Sequence, residues 1–236
     1  MPPLSKEVKA WVVNYTPLVE RKLFQEKQLT SHGIVHEFIN DHDRESLTKE
    51  ELSRFNRSKL TTGSISCMLK HMTILRHITH SSHNFNLLLE DDAIFEKNFS
   101  KVFPLALKEL PPNYDMLFLG TCWNLHIPAE DQNPGQLLYK KGVEPTGWGG
   151  NGATRCVDSV IISKRAAREI RDYYLNEPKG SISLPIDWWL NEAIRNLALD
   201  KIYWIEPTIV SQGSNPGKAN KEERYNGKSV FRGSQL

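Results

Sequence analysis

The stretch Asn86-Leu87-Leu88-Leu89-Glu90-Asp91-Asp92 decides how the rest of the chain reads. Phe85–Leu89 is apolar on both faces, which suits a strand buried between two layers. It delivers three consecutive carboxylates to its C-terminal edge. In an open α/β sheet that edge is where ligands bind. Crowded carboxylates repel one another unless a cation lies among them, and oxygen donors suit a hard ion such as Mg²⁺ or Mn²⁺. In extended backbone Glu90 and Asp92 point to one side and Asp91 to the other. Asp92, with Glu90, is then the candidate metal pair. The same residues also suit a solvated turn with an acidic N-cap for the next helix.

Working outward, strands alternate with helices. Val8–Tyr15 reads as a first buried strand, and Pro17 opens an amphipathic helix that His32-Gly33 stops near Ser31. Ile34–Asn40 is a second strand. Thr48 with Glu51 forms a capping box for a short helix. Ile65, Met68, Leu69, Met72, Leu75 and Ile78 fall at helical spacing within Ser64–His80. Helices over Asn98–Leu110, Ser163–Leu175 and Pro185–Leu199 alternate with strands at Asp115–Gly120, Val157–Ile162 and Ile202–Ile205. This alternation predicts an α/β sandwich with a largely parallel sheet. The stretch from Trp123 to Asn151 is rich in Pro and Gly and longer than a structureless connection should be, so it is functional or holds a hairpin.

The whole chain has 236 residues and a formal charge of +2, ordinary for a globular protein. The near balance argues against a dedicated nucleic-acid binder and against an acidic disordered chain. Cys67, Cys122 and Cys156 are too few and too scattered for a metal cluster or a disulfide framework, at least one must lack an intramolecular partner, and a reducing compartment is the simplest setting. No stretch has the length of a membrane span or a signal-peptide apolar core. These features predict a cytoplasmic chain. The chain reads as one domain over 1–212 and a tail over 213–236. That tail carries Lys218, Lys221, Arg224, Lys228 and Arg232 against Glu222 and Glu223, and is either a candidate lid over a bound anionic ligand or a solvated end.

Leu88-Leu89-Glu90-Asp91-Asp92-Ala93 resembles the LEDD motif of glycosyltransferase family 25, the lipopolysaccharide and procollagen galactosyltransferase type. The resemblance runs through most of the chain. Trp11-Val12-Val13-Asn14-Tyr15 followed by Glu20-Arg21 resembles the family's opening strand. Gly63, Cys67, Leu69 and His71 resemble its Gly…Gly-Cys…Ser-His helix. Gly152-Ala153, Ser163 and Ala166-Ala167 resemble its Gly-Thr-x-Ala-Tyr…Ser…Ala-Ala stretch, Pro185-Ile186-Asp187…Leu190 its Asp-x-x-Leu segment, and Pro207 and Gln212 its closing Pro…Gln. Lys70 stands where the family usually has Ser, and Arg155-Cys156 where a Tyr-bearing motif is expected.

The resemblance implies a GT-A fold, a Rossmann-like mixed sheet flanked by helices. It implies a nucleotide-sugar donor, most simply a UDP-sugar, a glycan or glycoconjugate acceptor, Mn²⁺ or Mg²⁺ on Asp92, and inverting transfer. Glu90 and Asp91 would then meet the metal, ribose or sugar. Val13, Asn14, Tyr15 and Asp41 would lie near the base, with Arg21 as a cation near the nucleotide. Inverting transfer needs a general base. Asp187 at the start of a helix is the candidate, although an acid there also simply complements the helix dipole. Trp188 and Trp148 are the candidate acceptor platforms. Gly147-Trp148-Gly149-Gly150-Asn151-Gly152 matches GxGxxG, but no strand precedes it and no helix follows, as a dinucleotide fingerprint requires. His71 reads as a satisfied structural residue, and His77 and His80 as solvated. Two other readings remain open: a metal-dependent nucleotidyltransferase and a non-catalytic nucleotide- or carbohydrate-binding domain.

Overall fold

The computed structural model describes residues 4–122, 124–144, 146–150 and 152–213. The proposed lid, apart from Gly213, lies outside the described residues, as do Trp123 and Asn151.

Helix α1 (Leu4–Glu7) leads into β1 (Val8–Val13), α2 (Val19–Ser31) and β2 (Val35–Ile39). Next come α3 (Lys49–Leu52), α4 (Thr62–His80), β3 (Phe85–Glu90), β4 (Ala93–Phe95), α5 (Phe99–Glu109) and β5 (Met116–Phe118). A 3₁₀ turn at Ala129–Asp131 precedes β6 (Leu138–Lys140), β7 (Ser159–Ile162), α6 (Lys164–Asn176), α7 (Ile186–Asn196), β8 (Ile202–Ile205) and β9 (Val210–Gln212). The caps follow local chemistry. Thr48 and Glu51 close the expected capping box. Ser163 accepts from the Ala166 amide at the start of α6.

Seven strands form one sheet in the order β2-β1-β3-β7-β5-β8-β6. Strand β1 pairs parallel with β2 and β3, and β5 parallel with β8. Strand β7 runs antiparallel to both β3 and β5, and β6 antiparallel to β8. The sheet is therefore the mixed type, not largely parallel. Alternation along β3 feeds two cores. Leu88 joins α4, α6 and α7 side chains on one face, while Leu87 and Leu89 join α5 side chains such as Phe99 and Phe103 on the other.

The long Pro- and Gly-rich stretch supplies the edge strand β6. The three-residue strands β4 and β9, absent from the sequence reading, pair antiparallel with each other. A disulfide joins Cys122 to Cys156 across this stretch, leaving Cys67 free. Disulfides persist in oxidising environments, so the cysteines do not argue for a reducing compartment. Among the described residues no helix is long and apolar enough to cross a membrane.

Arg155 explains one departure from the family pattern. It is fully buried and donates to the Leu125 and Ile205 carbonyls and, at 2.9 Å, to Glu206. Removing a buried guanidinium leaves Glu206 and two carbonyls short of donors. Arg155→Met is expected to lower stability by about 3–5 kcal/mol. The check is the urea midpoint, and a midpoint unchanged from wild type would contradict it.

Candidate active site

The chain leaves β1 for β2 on one side of the sheet and reaches β3 on the other, so β1 and β3 flank a topological switch point. A cavity of about 270 Å³ opens there. Val13 and Tyr15 line it from the end of β1, and Glu90, Asp91 and Asp92 from the end of β3. The first turns of α4 contribute Gly63, Ser64, Ser66, Cys67 and Lys70, the start of α7 contributes Pro185 and Ile186, and Gln212 closes one side.

The three acids are not equivalent. Asp91 is held by Arg21, Nη1 to Oδ1 at 2.6 Å, and its Oδ2 accepts from the Tyr15 amide at 3.3 Å. Arg21 is only 6% exposed, so it is a buried ion-pair partner and not a solvated charge. Burial raises the Asp91 pKa, and Arg21 partly offsets the rise. Asp92 is 4% exposed, and its carbonyl accepts from Gly213. Burial pushes the Glu90 carboxyl well above the usual range, and Asp92, Asp158, Asp91 and Asp187 push it further.

Asp158 is a site residue that the sequence reading missed. The Glu90 amide donates to its carbonyl at 2.9 Å. Burial, then the charge of Asp92, pushes its carboxyl up to about 7. Its Oδ1 is buried without a hydrogen-bond partner. Gly120 makes room for it: a Cβ there would lie 2.7 Å from Oδ1. Strand β7 runs antiparallel to β3, so it begins where β3 ends, and Asp158 precedes its first residue. No sequence signal links positions so far apart. Carboxylates that raise one another's pKa, one with an orphaned buried oxygen, form a donor set that fits a hard divalent cation.

Cations face the acids across the cavity. Lys70 is 2% exposed, and its Nζ donates to the Asp41 carbonyl at 2.5 Å and to Asp43 Oδ1 at 2.8 Å. Arg44 lies 4.1 Å over the Tyr15 ring, whose hydroxyl donates to Glu45. Burial alone would raise the Asp43 carboxyl, but bonds from Lys70 and Thr16 outweigh it and hold the pKa below its ordinary value. The stability this contributes is present above the ordinary carboxylate pKa of about 3.9 and is lost as pH falls through the lowered value. Asp43→Asn is expected to flatten the acid limb of thermal stability against pH. A limb identical to wild type would contradict this.

The other expected site residues fall in different places. Asn14 is fully buried, bonds Asn40 across the ends of β1 and β2, and does not line the cavity. Asp41 is exposed and reaches the cavity wall only through its carbonyl. Asp187 opens α7 beside the cavity-lining Pro185 and Ile186, and its charge is felt at Glu90 and Cys67. Burial raises its carboxyl, while backbone amides at the helix start lower it. Trp188 is 50% exposed next to it, and Trp189 packs in the core. Trp148 is not among the cavity-lining residues. It packs against Trp204 and donates from Nε1 to Asp131 at 2.7 Å. His77 stacks on Trp11 at 5.0 Å, more than a solvated histidine would do.

Comparison with known proteins bears on this arrangement. The family model for glycosyltransferase family 25 (LPS biosynthesis protein) matches residues 8–137, which include β1, the whole of α4 and the three acids. The chain belongs to glycosyltransferase family 25. A protein of Acanthamoeba polyphaga mimivirus, whose name proposes a glycosyltransferase, is 28% identical over 126 residues. That match covers 50% of this family 25 chain and 39% of the viral protein, so the chain spans well under two thirds of that relative. Two solved structures align with the family 25 chain at low identity and low TM-score. One is a glycosyltransferase involved in glycosylating the major capsid of PBCV-1, at 12% identity, TM-score 0.37, covering 93% of this chain and 97% of that one. The other is mouse xyloside xylosyltransferase 1 in its apo form, at 9% identity, TM-score 0.38, covering 91% and 99%.

Proposed function

We propose that this chain transfers a sugar from a nucleotide-sugar donor, a UDP-sugar, to a hydroxyl of a glycan or glycoconjugate, with inversion. The observation that carries the reading is the convergence of Glu90 and Asp92 at the switch-point cavity of a family 25 chain, with the buried Asp158 carboxylate close enough to raise the Glu90 pKa. Asp92 and Glu90, with Asp158 beside them, would hold Mn²⁺ or Mg²⁺, which when bound neutralises the diphosphate leaving group.

The chain's own residues do the rest. Val13 and Tyr15 line the nucleotide end of the cavity. Arg21 pairs with Asp91 and holds that carboxylate in place in the cavity wall. Asp187 takes the proton from the acceptor hydroxyl. Its burial raises its affinity for that proton. Trp188 offers an exposed ring beside Asp187 for the apolar face of the acceptor sugar.

The reading is tested by calorimetry of UDP with and without Mn²⁺, followed by a screen of UDP-sugars for slow hydrolysis. Expected are UDP binding that depends on Mn²⁺ and UDP release from one donor. Binding without release from any donor and with no transfer to a broad acceptor set would favour a non-catalytic domain. Absence of UDP binding under both conditions would sink the proposal.

A further inference from the structure

One wall of the cavity carries a donor set of a different chemical kind. Cys67 and His71 lie one turn apart on α4, so their side chains share a helix face. Glu90 at the end of β3 faces both. Its Oε1 lies 3.7 Å from Cys67 Sγ and 3.7 Å from His71 Nε2. One ligand atom from each of the three residues lies within 4.8 Å of the others. In a tetrahedral zinc site, bonds of about 2.0–2.3 Å put neighbouring ligand atoms about 3.4–3.6 Å apart. The two spacings to Glu90 need only a small contraction to reach that, and the third lies within 4.8 Å.

The histidine supplies an independent pointer. His71 is 2% exposed. The Cys67 and Val157 carbonyls both face the ring, and Nδ1 makes the short bond, 2.8 Å to the Cys67 carbonyl. That bond assigns the proton to Nδ1 and leaves the lone pair on Nε2. Metal-binding histidines are oriented in the same way, with one nitrogen donating to a carbonyl and the other on the ion. Here Nε2 is buried, has no hydrogen-bond partner and faces Glu90. An unpartnered buried nitrogen costs free energy unless something binds it.

We propose that Cys67 Sγ, His71 Nε2 and the Glu90 carboxylate form a site for a zinc-class divalent cation, next to the oxygen set around Asp92 and sharing Glu90 with it. Thiolate and imidazole select a borderline cation such as Zn²⁺ over Mg²⁺ or Mn²⁺, which prefer carboxylate and water oxygens. Cys67 and Glu90 line the cavity, so the fourth coordination position opens towards it. The bound ion would tie α4 to the end of β3 and fix the Glu90 carboxylate. This inference does not depend on the glycosyl-transfer reading.

The test uses the full chain, stripped with chelator and titrated with Co²⁺. Expected are tetrahedral cobalt bands and a thiolate-to-cobalt charge-transfer band that saturates at one equivalent and is displaced by Zn²⁺. Cys67→Ser should remove the charge-transfer band. His71→Gln should weaken Co²⁺ binding by about tenfold or more. Asp92→Asn should leave the band in place. No charge-transfer band at saturating Co²⁺ would overturn the site. So would a band that survives Cys67→Ser, which would place it on Cys122 or Cys156, or one lost with Asp92→Asn. Should either α4 variant fail to fold, X-ray absorption at the zinc edge of the wild-type chain decides the matter. A sulfur ligand supports the site, and an all-oxygen shell overturns it.

Discussion

Asp92→Asn is expected to lower sugar-transfer turnover by about 100–1000-fold, the usual loss when one electrostatic partner of a developing charge is removed. The substitution keeps the shape of the side chain and deletes its charge. Asp92 is buried near Glu90, Asp91 and Asp158, and its charge helps to raise the carboxyl pKa of all three. Deleting its charge relieves that repulsion, so thermal stability without metal is expected to hold or rise. Mn²⁺ is expected to stabilise the wild-type chain by mass action on the native state, and that stabilisation is expected to disappear in the variant. The measurements are turnover with the donor found by hydrolysis and melting temperature against Mn²⁺ concentration. Near-wild-type turnover together with undiminished Mn²⁺ stabilisation would remove Asp92 from the cation set.

Asp187→Asn is expected to lower kcat by about 100–10,000-fold while leaving UDP binding unchanged. The separation follows from position. Asp187 opens α7 next to Pro185 and Ile186 at the cavity rim, while the end proposed for the nucleotide is lined by Val13 and Tyr15. Asparagine cannot accept a proton at neutral pH, yet it keeps the polar side chain that the amides at the helix start contact. A carboxylate base works only when ionised, so wild-type activity is expected to fall as pH drops through the Asp187 pKa. Burial moves that limb above the ordinary aspartate value of about 3.9. The check is a pair of pH–rate profiles with UDP calorimetry beside them. Full activity in the variant would leave Asp187 as a simple complement to the helix dipole.

How much of this could be read in the chain depends on how far each signal reaches along it. The strand at Phe85–Glu90 was legible because an unbroken apolar run ending in acids has few other physical solutions. The capping box at Thr48 and the Ser163 cap were legible because their partners lie three residues away. Strands β4 and β9 were not, since three residues carry no period and each exists only by pairing with the other. The mixed character of the sheet was equally hidden, because the direction of β7 is set by packing between β3 and β5 rather than by its own residues.

The candidate site divides along the same line. The sequence by itself determined that three carboxylates end a buried strand, that a helix beginning near Asp187 follows a proline, and that motifs resembling family 25 recur in order. Only the tertiary structure decided what those residues meet. It turned Arg21 into a buried partner of Asp91, brought Asp158 across 68 residues to the edge of β3, and set Lys70 and Arg44 in the cavity wall. It also turned the helix face of Cys67 and His71 towards Glu90. Local patterns report which face of an element is buried. They cannot report which distant element covers it, and the chemistry of this cavity is made from side chains that several such elements bring to one edge.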